Sequence, residues 1–309
     1  MRVAVTGAFG YSGRYIAQEL LANNHEVLTL TNSTNRPNPF GTRIRAVPFH
    51  FDRSELLAES LRGIDVLINT YWVRFDHKLF THTEAVANTR VLFDAAKCAA
   101  VRRIIHISIT NPDIHSRLPY FRGKAELEQS LQSLGMSYCI LRPTVLFGKE
   151  DVLINNIAWV LRRLPIFGVF GKGDYRMQPI YVGDLAKAVA KKVAELQRSI
   201  VEAIGPESFT YRELVKTIAS VLGLKRAVIG IPPVWGYWAC CLAGRLVNDV
   251  VLTREEIRGL MENRLYVDAP ALGKTKLSEW VAQNKNTLGR HYTSEMRRRI
   301  DRKSAYRSN

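Results

Sequence analysis

The feature that most constrains this chain lies within its first thirteen residues. An apolar, β-branched run, Val3-Ala4-Val5-Thr6, leads directly into Gly7-Ala8-Phe9-Gly10-Tyr11-Ser12-Gly13, and an amphipathic segment follows. Glycines in this pattern between a strand and a helix have separate tasks. Gly7 permits the tight turn, Gly10 lets the backbone approach a pyrophosphate, and Gly13 lets helix and strand pack closely. The helix start then offers N–H groups and the positive end of its dipole to phosphate. A glycine triplet alone is weak evidence; its place between strand and helix carries the inference, against the alternative of a glycine-rich structural turn. Phe9, Tyr11 and Arg14 belong to the same candidate cradle.

The first half alternates short β-branched runs with helix-period segments, which predicts a parallel sheet covered on both faces. Strands are expected at Val3–Thr6, Val27–Thr31, Ala46–Phe49, Val66–Asn69, Arg103–Ile107 and Tyr138–Leu141. Helices are expected at Tyr15–Ala22, Ser54–Leu61, Glu84–Ala99 and Gly123–Ser133. The predicted fold class is α/β, a Rossmann doubly wound parallel sheet with a smaller, mostly helical C-terminal substrate lobe. Four segments follow: a dinucleotide-binding core over 1–148, an irregular excursion over 149–177 marked by Pro165, Gly168, Gly171 and Gly173, a returning helix and strand over 178–205, and a C-terminal lobe with a basic tail over 206–309. Thr253 is expected to N-cap a helix carrying Glu255 and Glu256 in its first turn.

Strand 2 ends at Thr31-Asn32-Ser33-Thr34-Asn35-Arg36, without the acidic residue that binds a ribose 2′-hydroxyl in NAD-selective sites. Arg36 and Arg14 are instead candidates for a 2′-phosphate, so NADP(H) is favoured over NAD(H). Asn32 lies beside them. Asp52, after strand 3, is read either as an adenine contact or as an N-cap of the helix at Ser54. Thr70, with Asn69 and Tyr71 at the end of strand 4, is expected to line the cofactor cleft near a ribose. Trp72 and Phe75 wall a substrate pocket or belong to loop core.

Lys and Arg number 44 against 28 acids, a formal charge of +16. This points to electropositive surface for an anionic ligand, an acidic partner or a membrane face. From Arg290 to Asn309 stand seven basic residues and two acids, read as a solvated terminal helix and tail and as a candidate contact for a protein or membrane surface. A nucleic-acid partner has only the overall charge in its favour. Cys98, Cys139, Cys240 and Cys241 lack metal-ligand or redox spacing and read as core thiols of a reducing compartment. His77, His82 and His106 are too scattered for a metal site, and no metal is expected. Without a signal-peptide pattern the expected location is cytoplasmic, compatible with a peripheral membrane association. The apolar stretch Ile231–Leu246 is too short to span a bilayer and is expected to be a buried helix, with Trp235 and Trp238 leaving an interfacial alternative.

Several further segments carry a resemblance. They are Asn88-Thr89-Arg90-Val91-Leu92, Leu141-Arg142-Pro143-Thr144 running to Gly148, Gln178-Pro179-Ile180-Tyr181-Val182-Gly183-Asp184, and Gly205-Pro206-Glu207. With the glycine motif they make the chain resemble the extended and atypical short-chain dehydrogenase/reductases, which include the NAD-dependent epimerase/dehydratase-like proteins. Within these it is similar to the branch of the NADPH-binding accessory subunit of respiratory complex I and its bacterial relatives. The resemblance implies that Tyr120 and Lys124 form the Tyr-x-x-x-Lys pair, with Lys124 also bonding the nicotinamide ribose. Four-residue spacing sets both on one helix face. A nearby ammonium favours phenolate and makes Tyr120 a better acid–base group. Ser108 takes the role of orienting the substrate oxygen, with Thr110 as nearest substitute. Pro143 marks where the backbone approaches the nicotinamide carboxamide. Arg176 and Gln178 sit where the second lobe turns towards substrate, compatible with an anionic or polar molecule. The function so implied is NADP(H)-dependent oxidoreduction, or epimerase/dehydratase chemistry, on an unidentified small molecule. The alternative is a non-catalytic NADPH-binding structural or assembly protein of a respiratory or membrane complex. Oligomeric state is not legible.

Overall fold

The computed structural model describes residues 1–304. Along the chain run β1 (Arg2–Thr6), α1 (Tyr11–Ala22), β2 (Glu26–Leu30), β3 (Ile44–Val47), α2 (Ser54–Ser60), β4 (Val66–Asn69), α3 (His82–Cys98), β5 (Arg103–Ile107), α4 (Pro119–Ser133) and β6 (Ser137–Pro143). Then come β7 (Leu146–Phe147), α5 (Leu153–Arg163), β8 (Ile166–Phe170), β9 (Arg176–Met177), β10 (Ile180–Tyr181), α6 (Val182–Lys192), β11 (Ser199–Ala203) and β12 (Phe209–Thr210). The chain closes with α7 (Tyr211–Val221), β13 (Ala227–Ile231), α8 (Pro233–Val247), α9 (Arg254–Met261), α10 (Leu277–Gln283) and α11 (Glu295–Ile300). It divides into two compact units: Met1–Pro143 with Leu185–Glu202, and Thr144–Asp184 with Ala203–Asp301.

The first unit is the doubly wound sheet, in the order β11-β6-β5-β4-β1-β2-β3. The pairings among β1 to β6 are parallel, with Val3 opposite Val27 on one side and Val66 on the other. Strands buried on both faces read as continuous apolar runs, and β4 and β5 have every residue buried. Helix α1 starts at Tyr11, four residues before the expected start, because the turn closes at Gly10. Helix α4 opens at Pro119, whose fixed φ suits the first helical position. Strand β3 sits two residues earlier than expected; Phe49 is core beyond the strand, stacked on Phe51 at 4.6 Å.

The structure corrects three expectations, two of them in the second unit. Residues 149–177 belong to this unit but are regular where irregular chain was expected: α5 buries Ile154, Ile157, Ala158 and Leu161, and β8 pairs in parallel with β13. Pro165 ends that helix, and Gly168 stands in a strand because a Cβ would meet Ile231 Cδ1 at 2.8 Å. Helix α8, expected to be buried, buries only Gly236 and Gly244. Of the four cysteines only Cys139 is buried, and Cys98 is exposed. The Thr253 cap is found as a full capping box with Glu256. In the basic C-terminal run, Arg298 donates to the Glu150 carbonyl and Arg299 pairs with Glu295 at 2.6 Å, while Arg307 lies outside the described residues.

Asp151, 1% exposed, accepts hydrogen bonds at Oδ1 from Ile154 N and Asn155 N at the start of α5, while its Oδ2 is buried without a hydrogen-bond partner among the described residues. Burial pushes its carboxyl up to about 7, against hydrogen bonds and the Arg298 charge that pull it down. A raised folded pKa adds stability below the unfolded value near 4, and that stability is lost as pH rises towards 7. Asp151→Asn keeps the Oδ1 acceptor and removes the charge. Urea unfolding is expected to show the variant gaining on wild type as pH rises from 4 to 7, by at most about 4 kcal/mol, with a plateau above. Parallel pH profiles would refute this.

Candidate functional site

The glycine turn has the geometry its spacing predicts. Gly7 has φ +68°, and Gly7 N bonds Leu30 O at 2.8 Å, tying the turn to β2. A Cβ on Gly13 would lie 2.3 Å from Gly7 O, and one on Gly10 would lie 3.2 Å from the same atom. The Gly10 N-cap brings no side chain to the first-turn amides of α1, and that turn holds no acid. The helix start therefore keeps its donors and dipole for an anion. The cradle fits the pyrophosphate of a dinucleotide. The Phe9 side chain is core, which leaves only its backbone at the turn; Tyr11 is half-buried and packs edge-on to Tyr15.

A hydrogen-bonded clamp fixes the floor beneath this turn. Thr6 Oγ1 donates to Asn69 Oδ1 at 3.1 Å and accepts from Thr70 N at 2.7 Å and Tyr71 N at 3.0 Å. The Thr70 hydroxyl donates to Thr6 O at 2.5 Å. Asn69 Nδ2 donates to His106 Nδ1 at 3.1 Å. Burial, with Lys124 adding to it, holds the His106 pKa well below its usual value, so this imidazole is neutral and carries its proton on Nε2. His106 is a core residue that joins β4 to β5.

Arg36 is buried at 8% exposure, Asn32 is exposed, and Arg14 is half-buried. Arg14 shares an open groove of about 440 Å³ with Gln18, Pro39, Phe40 and Arg43. Arg43 is a cation that sequence spacing did not single out. Asp52 is exposed and pairs with Arg53 at 3.5 Å; the N-cap of α2 is Arg53, which removes the capping reading of Asp52.

Tyr120, Lys124 and Glu128 follow one another at four-residue steps on α4, and this stripe meets the end of β5. Lys124 Nζ donates to Ile107 O at 2.7 Å, and Ser108 Oγ donates to Glu128 Oε1 at 2.5 Å. Trp72 covers the stripe: Lys124 Nζ stands 4.4 Å from its ring centroid, and Tyr120 meets it edge-on at 5.6 Å. A Cβ on Gly123 would lie 2.9 Å from the same indole. Tyr120 is half-buried, and His82 completes a ring triangle with it, 5.8 Å from Tyr120 and 5.7 Å from Trp72, while Lys124 is 2% exposed. Burial lowers the Lys124 pKa to about 7, partly offset by Glu128.

Glu128 is the centre of a network that spacing alone did not reveal. Arg142 grips its carboxylate through Nε and Nη2, the latter at 2.5 Å. Arg142 Nη1 reaches Glu202 at 3.3 Å, and Thr110 Oγ1 donates to the other Glu202 oxygen at 2.9 Å. Both hydroxyls considered for the substrate oxygen thus donate to carboxylates and keep only lone pairs to offer. Pro143 O accepts from Thr110 N at 3.0 Å, at the end of β6.

In the second unit Arg176 stacks on Tyr266 at 3.6 Å, Gln178 Oε1 accepts from Val267 N, and Asp184 accepts from Lys274 N and Thr275 N at 2.7 Å. Asp184 is a first-turn acid of α6. Among the described residues no group of three or more His, Cys, Asp or Glu side chains is placed to hold a metal ion, and no helix is long and apolar enough to cross a membrane.

The Arabidopsis thaliana mitochondrial NADH dehydrogenase [ubiquinone] 1 alpha subcomplex subunit 9 is 25% identical over 232 residues, 71% of this chain and 57% of the relative. The Neurospora crassa 40 kDa subunit of NADH-ubiquinone oxidoreductase is 25% identical over 74% of this chain and 62% of its own. The match thus spans about three-fifths of those relatives. Citrobacter sp. triphenylmethane reductase, solved with NADP(H), superposes with a TM-score of 0.77 at 17% identity, covering 92% of this chain and 99% of that one. The NADPH-dependent quinone oxidoreductase of Escherichia coli, solved with NADPH, gives 0.72 at 21% identity, covering 91% and 99%. These two share the fold. Residues 3–203, the glycine turn and the Tyr120 stripe included, match one family throughout, and the chain belongs to the NAD dependent epimerase/dehydratase family.

Proposed function

We propose that the chain is an NADP(H)-dependent oxidoreductase, or an epimerase/dehydratase working through transient oxidation, acting on a small carbonyl or alcohol. The observation that carries this reading is the glycine cradle at the end of β1 together with the Tyr120–Lys124 stripe at the end of β5, two strands away in the same sheet. Gly7, Gly10 and Gly13 would admit the pyrophosphate, and Phe9, Tyr11 and Thr70 would frame it. Arg14 and Arg36, with Asn32, would hold the 2′-phosphate, and Asp52 the adenine amino group. Pro143 would bound the nicotinamide end. The cofactor, when bound, supplies hydride-transfer chemistry. Tyr120 moves the proton at its phenol oxygen, as general acid or base. Lys124 sets the charge beside it: an amine with a pKa near 7 is about half protonated at neutral pH, so its support of phenolate weakens as pH rises. Ser108, its proton held by Glu128, offers a lone pair to a substrate alcohol.

A second reading is favoured by two observations: Trp72 covers Lys124, and the Ser108 hydroxyl donates its hydrogen bond to Glu128. These fit a non-catalytic NADPH-binding component of a larger assembly, a reading supported by relatives that are respiratory-complex subunits. The experiment is to measure nucleotide in protein purified without added cofactor, titrate with NADPH and NADH, and screen quinones, triphenylmethane dyes and simple carbonyls. Exchangeable NADP(H) with turnover sustains the enzyme; inert, non-exchanging cofactor sustains the assembly component. Replacing Arg14 and Arg36 by Ala is expected to weaken NADPH about 10- to 100-fold, the loss of one or two charged hydrogen bonds, and NADH less than about threefold. Equal losses for both would refute the 2′-phosphate assignment.

A further inference from the structure

Helix α8 exposes what a helix of a water-soluble fold normally buries. Val234, Trp235, Trp238, Leu242 and Leu246 are 66, 71, 57, 60 and 82% exposed. At 100° per residue these five span an arc of roughly 120° on one side of the helix. The opposite side is packed: Gly236 lies where a Cβ would meet Phe170 ring atoms at 2.5 Å, and Tyr237 and Cys240 pack on the core of the second unit. The exposed stripe is therefore not a frayed end but the outer face of an anchored helix. Ile166 and Ile229, on the strand pair β8–β13, are also about half exposed.

Along the chain from Leu214 to the end of α8 the charge has one sign, while α9, which packs beside α8, carries Glu255 and Glu256 in its first turn. From Leu214 to Asn248 the sequence contains no Asp or Glu, while Lys216, Lys225, Arg226 and Arg245 are cationic. Arg245 is exposed in the last turn of α8 and falls within the apolar arc, where a long side chain can lie along apolar surface and place its head in a polar layer. Tryptophan favours the boundary between acyl chains and headgroups. At 15 residues the helix is about 22 Å long, too short to span a bilayer but suited to lie in its surface. We propose that α8 is a membrane-surface docking helix whose Val234–Leu246 stripe enters the headgroup–acyl boundary of an anionic bilayer, with Arg245 on the stripe and the exposed Lys225 of the same acid-free segment meeting the lipid phosphates. This assignment is independent of the cofactor reading, since it rests on the second unit alone.

The test is flotation of the full chain with vesicles of 70:30 phosphatidylcholine:phosphatidylserine and with pure phosphatidylcholine, alongside quenching of tryptophan emission by lipids brominated in their acyl chains. Wild type is expected to float with the anionic vesicles and be quenched. Trp235→Ser/Trp238→Ser is expected to lower the partition coefficient at least tenfold with an unchanged circular dichroism spectrum, because both side chains are already exposed. Lys225→Glu/Arg245→Glu is expected to weaken binding to anionic vesicles selectively. The proposal is overturned if wild type binds neither vesicle, or if the tryptophan variant floats as well as wild type. It is also overturned if light scattering shows a concentration-dependent dimer that the tryptophan change abolishes while vesicles are ignored, which would make the face a protein interface.

Discussion

Gly13→Val is expected to remove dinucleotide binding, lowering NADPH affinity more than about 100-fold, and to reduce thermal stability by several degrees. The Cβ it introduces would stand 2.3 Å from Gly7 O, 2.8 Å from Gly7 C and 3.2 Å from Ala8 Cα. All three are backbone atoms, so no side chain can swing aside; α1 must move off the end of β1, and the turn that presents the first helical amides opens. Overpacking of this kind costs about 1–3 kcal/mol, or roughly 2–10 °C in a chain of this size. Gly10→Ala has a single close contact, 3.2 Å to Gly7 O, which a shift of a few tenths of an ångström relieves, so its effect on affinity is expected to be smaller. Calorimetric titration with NADPH ranks the two. Gly13→Val binding within threefold of wild type would mean that the cradle is not where the cofactor lies.

Tyr120→Phe is expected to reduce turnover by about 10²- to 10⁴-fold, the range of general acid–base contributions, while NADPH affinity changes less than about threefold. The phenyl ring retains the contacts that Tyr120 makes with Trp72, His82 and Phe121, so the fold around α4 is preserved and only the hydroxyl is lost. Single-turnover oxidation of bound NADPH by the acceptor found in screening gives the chemical step directly. A Tyr120→Phe rate equal to wild type would end the catalytic reading of the α4 stripe and leave the NADPH-binding assembly component in its place.

Local patterns carried the sheet. Val66–Asn69 and Arg103–Ile107 are strands as their β-branched runs indicate, and the glycine turn could be placed because each glycine answers a contact between neighbouring elements. The site itself was less legible, since its determinants are distant in sequence. Glu128 meets Ser108 across 20 positions, and Glu202 meets Thr110 across 92; no periodicity announces such pairs. Trp72 was readable only as pocket wall or loop core, because its position over Lys124 depends on how the β4–α3 loop turns back. Helix α8 was misplaced for a different reason. Apolar composition reports that surface is unfavourable in water, not which neighbour removes it from water, and here no described residue covers the Trp235 and Trp238 face.

The order of strands in the first unit has a consequence for how the chain is made. β11 forms one edge of the sheet beside β6, yet it is encoded at Ser199–Ala203, and 55 residues separate Pro143 at the end of β6 from Ser199. At translation rates of about 5–20 residues per second, β6 waits roughly 3 to 11 seconds for its neighbour to emerge. During that interval the nascent protein presents the open backbone of a strand containing Cys139, Ile140 and Leu141, with Arg142 lacking Glu202 and Arg103 lacking the Gln197 carbonyl. An uncovered strand edge is a template for pairing with another chain. The hazard of misassembly is therefore concentrated in a window of synthesis rather than in the finished fold, and any change that loosens β11 reopens that window in the mature protein.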